Sequence, residues 1–177
     1  MEAPTPASAL IHSSTLVVMG IFLIFKFTPI LYTSPAVLSF MAVIGSMSVL
    51  YGSVYANITG DLKKAVAYST ISQIGYLFTG CALLLFKQVF LYLIVHAICK
   101  ALLFIYVGYI VHMFGGTTSL RKMGGIYYII PDVAINMFIV CLILMGAPYT
   151  VGYFAKELLL YGIFNYCGSF RYIIYFC

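Results

Sequence analysis

The chain has 177 residues, of which 64% are hydrophobic and only 7% are charged. Soluble domains average about 25% charged residues, so this composition excludes an ordinary soluble domain and indicates an integral membrane protein. The net charge of +5 comes from nine basic and four acidic residues. So few charges do not indicate a nucleic-acid-binding surface, and no nucleic-acid partner is expected.

Five apolar segments follow one another, separated by short polar stretches or by proline and glycine. Segments of this length predict an all-α membrane fold with about five transmembrane helices. We expect the helices at about 7–27, 36–57, 61–86, 89–114 and 132–164. They would form one transmembrane domain over 1–165, followed by a short apolar tail at 166–177.

The fifth segment is too long for one straight crossing of about 20 residues. It contains Gly146-Ala147-Pro148. Proline lacks an amide donor and clashes with the preceding turn, so we expect the helix to break there. Broken helices in membranes are tolerated beside protein or water, and they recur near the substrate path of transporters. Lys156 and Glu157 follow the predicted break by about two turns.

Lys100 lies near the middle of the fourth segment, and His96 precedes it by four residues. A lysine at mid-membrane depth costs from roughly 3 to more than about 10 kcal/mol. On a helix the two side chains share one face. Burial disfavours the charged form of lysine, and histidine titrates near neutral pH, so the pair predicts a two-station proton relay. The alternatives are a lysine that snorkels to the membrane surface or pairs structurally, and a hydrogen-bonded core histidine.

Lys156 and Glu157 are adjacent, so on a helix they point about 100° apart and do not form a pair within the helix. Glu157 is the candidate carboxylate inside the membrane, because the other three acidic residues fall in predicted loops. Each side chain would then face a different neighbour or water. Interfacial charges at a helix end are the alternative.

Two further groups of polar side chains interrupt the apolar segments. His12 is followed by three hydroxyl residues, which could hold water or cap the first helix. The third segment carries four polar side chains, those of Ser69, Thr70, Ser72 and Gln73. We expect them to form hydrogen bonds to other helices, and the alternative is that they line a water path.

Several cofactor chemistries lack their sequence signatures. There is no phosphate-binding glycine loop, no dinucleotide-binding fingerprint and no H-E-x-x-H motif. The five cysteines are scattered without zinc-type spacing. Haem held by His12 and His96 is disfavoured, because a lysine one turn from an axial ligand would be unusual. We therefore expect no cofactor and no metal on this chain.

Five stretches, in order, carry a resemblance to a known family. They are MEAPTPASALIHSSTLVVMGIFL, GDLKKAVAYSTISQIGYL, HAICKALLF, RKMGGIYYIIP and GAPYTVGYFAKELLL. Together they resemble the subunit 5 family of NADH dehydrogenase, the distal antiporter-like membrane subunits of respiratory complex I. The related subunits 4 and 2 and the Mrp-type sodium/proton antiporters share parts of the pattern. The runs HSST and RKMGG favour subunit 5 or its Mrp homologue.

The resemblance implies the second of two inverted five-helix repeats in a fourteen-helix unit. By position, His12, His96 and Lys100 match the central relay of the family. Lys156 matches the lysine of the broken helix at the proton exit, and Glu157 stands where the family often has aspartate. Tyr92 departs from the pattern, because the family commonly has an additional histidine there.

The resemblance also implies a function. The chain would be a proton-translocating subunit of NADH:ubiquinone oxidoreductase, part of an enzyme complex in which quinone reduction occurs elsewhere. The alternatives are a subunit of a Mrp-type sodium/proton antiporter and a non-conducting structural subunit of the membrane arm.

The expected partners are lipid, the other membrane-arm subunits, and a separate chain carrying the seven preceding helices of a split subunit. The expected location is the mitochondrial inner membrane, or the bacterial plasma membrane if the gene is not organellar.

Overall fold

The computed structural model describes residue 11 and residues 15–166. This part of the chain forms seven α-helices and a short 3-10 turn, and it contains no β-strand. The helices are α1 (Leu16–Tyr32), α2 (Pro35–Ile58), α3 (Leu62–Ala82), α4 (Phe86–Met113), α5 (Ile126–Ile129), α6 (Pro131–Met145) and α7 (Val151–Tyr166). The prediction of an all-α fold is confirmed.

Two helices, α2 and α4, are long and apolar enough to cross a membrane, and α1 and α6 are shorter apolar helices. The predicted fifth span is divided into α6 and α7, so its predicted break at 146–148 is confirmed. The short α5 precedes that span and was not predicted. The tail beyond Tyr166 lies outside the described residues.

Helix α1 continues through Pro29 to Tyr32, whereas the sequence prediction ended this span at 27. Proline at 29 leaves the carbonyl of Phe25 without its helical amide donor. The hydroxyl of Thr28 donates to that carbonyl at 2.6 Å. Because the freed carbonyl is satisfied from within the helix, the chain passes the proline without ending the helix.

The connection between α3 and α4 is a tight turn within an unbroken run of leucines. Leu84 has a left-handed backbone with φ 61°. The amide of Leu84 donates to the carbonyl of Cys81, and the amide of Leu85 donates to that of Gly80, both at 3.0 Å. Helix α3 therefore ends at Ala82 and α4 begins at Phe86, rather than at the predicted 86 and 89.

Helices α2 and α3 approach closely because glycines lie in their contact. A Cβ atom on Gly52 would lie 2.6 Å from the backbone nitrogen of Ser72, and one on Gly75 would lie 2.8 Å from the carbonyl oxygen of Gly45. Small residues allow two membrane helices to gain van der Waals contact between their backbones. These close glycine contacts fix α3 against α2, and α4 packs on the opposite side of α3.

We expect Gly52→Ala to destabilise the folded chain by about 1–3 kcal/mol, because backbone atoms of α3 must move to admit the methyl group. Gly20→Ala is the matched control, since nothing lies within 4 Å of the corresponding Cβ position in α1. That change should be neutral or stabilising by up to about 1 kcal/mol. Thermal unfolding of the detergent-solubilised protein measures both, and equal midpoints would contradict the packing described.

Two apolar clusters divide the core along α4. One gathers Val89 and Leu93 with residues of α1, α3 and α7. The other gathers Leu103 and Val107 with residues of α3 and α6. His96 and Lys100 lie along α4 at the junction of the two clusters, both only 2% exposed.

The loops before α3 and after α4 are joined by an antiparallel bridge between Asp61 and Ser119. The amide of Leu62 donates to the carbonyl of Thr118, and the amide of Leu120 donates to that of Gly60, both at 2.9 Å. These two bonds join the N-terminal end of α3 to the loop that follows the C-terminal end of α4.

Candidate proton-relay site

Tyr92, His96 and Lys100 recur every four residues on α4 and are all buried. The four-residue spacing places them on one side of the helix in successive turns. The rings of Tyr92 and His96 have centroids 6.3 Å apart. Neither ring nitrogen of His96 has a hydrogen-bond partner among the described residues. The structure therefore brings together His96 and Lys100 as predicted.

The ammonium group of Lys100 is held by neutral acceptors. Its Nζ donates to the Ser69 hydroxyl at 2.5 Å and to the Val66 carbonyl at 3.4 Å. The ion pair found in the described part of the chain is Lys64–Asp61, which lies at the surface end of α3. A buried ammonium without a carboxylate partner keeps much of its desolvation cost.

Helix α3 supplies the polar side chains opposite this face of α4. Tyr92 donates its phenolic proton to the amide oxygen of Gln73. The interhelical hydrogen bonds predicted for the third segment are confirmed for Ser69 and Gln73. Thr70 and Ser72 instead donate to carbonyls of their own helix, at 2.6 and 2.9 Å.

The break between α6 and α7 is closed by backbone and hydroxyl contacts. Gly146 adopts a left-handed conformation with φ 85°, and its amide donates to the carbonyl of Leu142 at 3.1 Å. The amide of Ala147 donates to the same carbonyl at 3.0 Å. On the other side of the break, the Thr150 hydroxyl accepts the Tyr153 amide at 3.2 Å. Glycine supplies the left-handed residue that ends α6.

Lys156 reaches back across this break. Its Nζ donates to the carbonyl of Met145 at 3.3 Å and lies 5.8 Å from the centre of the Tyr76 ring. Free carbonyls at a helix C-terminus carry partial negative charge and favour a cation. Lys156 therefore joins the end of α6 to α7 and contacts α3.

The predicted site residues are only partly gathered in one place. Lys156 is half-buried on α7, and in the described structure no hydrogen bond or ion pair joins it to Lys100. Glu157 is exposed and forms no ion pair among the described residues. His12 lies outside the described residues. Ser69 is the contact of Lys100 that was not assigned from the sequence, although its polar character was visible there.

A family model described as "NADH:quinone oxidoreductase/Mrp antiporter, TM" matches residues 1–177. The chain therefore belongs to the NADH:quinone oxidoreductase/Mrp antiporter transmembrane family. Among named proteins it is similar to the NADH-ubiquinone oxidoreductase chain 5 of Nyctotherus ovalis, with 71% identity over 165 residues, covering 93% of this chain and 9% of that protein. The chain 5 protein of Dictyostelium citrinum is 37% identical over 177 residues, covering 98% of this chain and 26% of that protein.

The fold is also similar to a solved structure. A chain in the structure of the Mrp complex from Dietzia sp. DQ12-45-1b has a TM-score of 0.78 and 31% sequence identity. The match covers 93% of this chain and 18% of that one. The chain thus spans about a quarter or less of the length of each of these relatives. The resemblance to the antiporter-like membrane subunits is confirmed, as is the membrane-embedded character of the fold.

Proposed function

We propose that this chain is part of a proton-translocating membrane subunit of NADH:ubiquinone oxidoreductase. The observation that carries the proposal is Lys100, an almost fully buried lysine in a long apolar helix. Among the described residues it is held by a hydroxyl and a carbonyl, not by a carboxylate. An ionisable residue at that depth is costly and is best explained by a task in ion movement. The chain 5 proteins to which it is similar carry the name of that enzyme.

In this proposal each residue holds a proton in turn. Lys100 receives and releases a proton at the junction of the two apolar clusters. His96, one turn away on the same face, is the neighbouring station. Lys156 binds the proton at the helix break, where the Met145 carbonyl stabilises the ammonium form. His12 would extend the relay, and Glu157 would tune Lys156 through its charge.

The chain carries no redox step in this proposal, and NADH oxidation and quinone reduction occur elsewhere in the complex. We place it in the mitochondrial inner membrane, since the similar chain 5 proteins come from eukaryotes. Large apolar side chains on the outer faces of α1 and α2, including Met19, Phe40 and Met47, would contact lipid or other membrane-arm subunits. The seven preceding helices would complete the path, whether a separate chain carries them, as predicted, or the same polypeptide does.

Replacing Lys156 by glutamine tests the relay, because glutamine keeps an N–H donor for the Met145 carbonyl but carries no titratable proton. We expect the complex to assemble and oxidise NADH while translocating fewer protons per NADH. Proton movement in sealed membrane vesicles measures this ratio. Lys26→Gln is the control, since Lys26 is exposed on α1. An unchanged ratio for Lys156→Gln would leave Lys156 with only the structural task of joining the two half-helices.

A Mrp-type antiporter subunit is the second candidate, favoured by the similarity to the Dietzia Mrp complex. The two candidates differ in what drives proton movement. In vesicles, an antiporter exchanges protons for an imposed sodium gradient without NADH, whereas the proposed subunit moves protons only when NADH is oxidised. A non-conducting structural subunit would leave proton movement unchanged in every variant of Lys100 and Lys156.

A further inference from the structure

Ser69, Val66 and Lys100 form a closed set of hydrogen bonds between α3 and α4. The Ser69 hydroxyl donates to the Val66 carbonyl at 2.7 Å. The same oxygen accepts from Lys100 Nζ at 2.5 Å, and Nζ also reaches the Val66 carbonyl at 3.4 Å. Serine and threonine along α3 commonly bond to their own helix, but Ser69 also contacts the relay lysine.

We infer that Ser69 is a positioning residue that keeps Lys100 hydrogen-bonded in both its charged and its neutral form. The inference rests on the proposed function, because only a lysine that gains and loses a proton needs a partner for both forms. A hydroxyl group has one donor and two acceptor lone pairs. It can therefore serve an ammonium as an acceptor and an amine as a donor.

The exchange involves only rotation of the hydroxyl hydrogen about the Cβ–Oγ bond of Ser69 and of the amine group about the Cε–Nζ bond of Lys100. With Lys100 charged, Ser69 accepts an N–H from the lysine and donates its own hydrogen to the Val66 carbonyl. With Lys100 neutral, the Ser69 hydrogen turns to the amine lone pair, and an amine N–H remains for the Val66 carbonyl. No covalent bond is made or broken at Ser69, and the lysine nitrogen stays close to its place.

A carboxylate or an apolar side chain at this position would serve at most one of the two forms. A carboxylate would pair with the ammonium and hold the proton, while an apolar side chain would leave a buried amine without its partner. Ser72 lies on the same helix and is more deeply buried than Ser69, and its hydroxyl donates to the carbonyl of Ser69. It provides a comparison for the general effect of removing a hydroxyl from α3.

Threonine and valine at position 69 distinguish the effect of the hydroxyl group from the effect of side-chain size. The two side chains have nearly the same size, but only threonine has a hydroxyl. In the complete complex, the relevant quantity is the part of NADH-driven proton translocation that Lys100→Met abolishes. We expect Ser69→Val to lower that part about tenfold, the factor that corresponds to about 1.4 kcal/mol in a barrier. Ser69→Thr and Ser72→Ala should stay within about twofold of the wild type, since the hydroxyl that contacts Lys100 is kept in each.

Three outcomes would overturn the inference. Equal translocation by Ser69→Val and the wild type would show that the hydroxyl is not needed, and equal loss in Ser69→Thr and Ser69→Val would assign the effect to side-chain volume. Normal translocation by Lys100→Met would remove the proposed function and the inference together, so the two failures are distinguishable. Ser69→Ala adds no volume and replaces the valine variant if that variant does not assemble.

Discussion

Lys100→Met is expected to lower the number of protons translocated per NADH oxidised, while the complex remains assembled and reduces quinone. Positioned proton-transfer groups contribute roughly 10²–10⁴-fold to rate, so methionine at this place should abolish the share of translocation that passes through this path. Methionine has similar length and fills the space between the two apolar clusters. Because Lys100 has no carboxylate partner among the described residues, its removal leaves no buried charge unpaired there.

Assembly on native gels and NADH oxidation in vesicles show whether the Lys100→Met complex is intact, and acidification of the vesicle interior gives the proton ratio. Lys87→Met is the matched control, because Lys87 lies on the same helix but is exposed. It should match the wild type in all three measurements. A normal proton ratio in Lys100→Met would contradict the relay role of this lysine.

Gly152→Ala is expected to destabilise the chain by about 3 kcal/mol or more, the upper end of the cost of overpacking. A Cβ atom on Gly152 would overlap the carbonyl oxygen of Ile143, a backbone atom in the last turn of α6. The two half-helices must therefore separate to admit the methyl group. Lys156, which bonds across the same break, would lose its place beside Met145.

Gly162→Ala is the control for this variant, because the added methyl group on the same helix would approach the end of the Leu85 side chain at 2.8 Å. A side-chain end moves more easily than a carbonyl, so the loss of stability should be smaller. Thermal unfolding of the solubilised complex compares the two variants. Equal melting temperatures would show that α7 shifts freely against α6.

The buried lysine–histidine pair and the helix break could be predicted because both depend on local sequence. A four-residue spacing fixes a common helix face, and apolar neighbours on both sides fix the depth of Lys100. Gly146 and Pro148 act on the backbone wherever the helix lies. These features need no knowledge of how the helices pack.

The partners of Lys100 and Lys156 could not be predicted, because they depend on how each helix is rotated about its axis. Ser69 faces α4 since the glycine contacts of α3 turn its opposite side toward α2. The turn at Leu84 could not be predicted from the sequence either, because leucine neither favours a left-handed backbone nor interrupts an apolar run. Tertiary contacts, not local propensity, decide these features.

The bridge between Asp61 and Ser119 has a practical consequence for labelling this side of the membrane. A residue inserted in either partner would change the register and remove the paired backbone bonds of Leu62 and Leu120. Gly124 is exposed, and nothing lies within 4 Å of the position its Cβ would take. An epitope or fluorophore inserted there would report sidedness without pulling the ends of α3 and α4 apart.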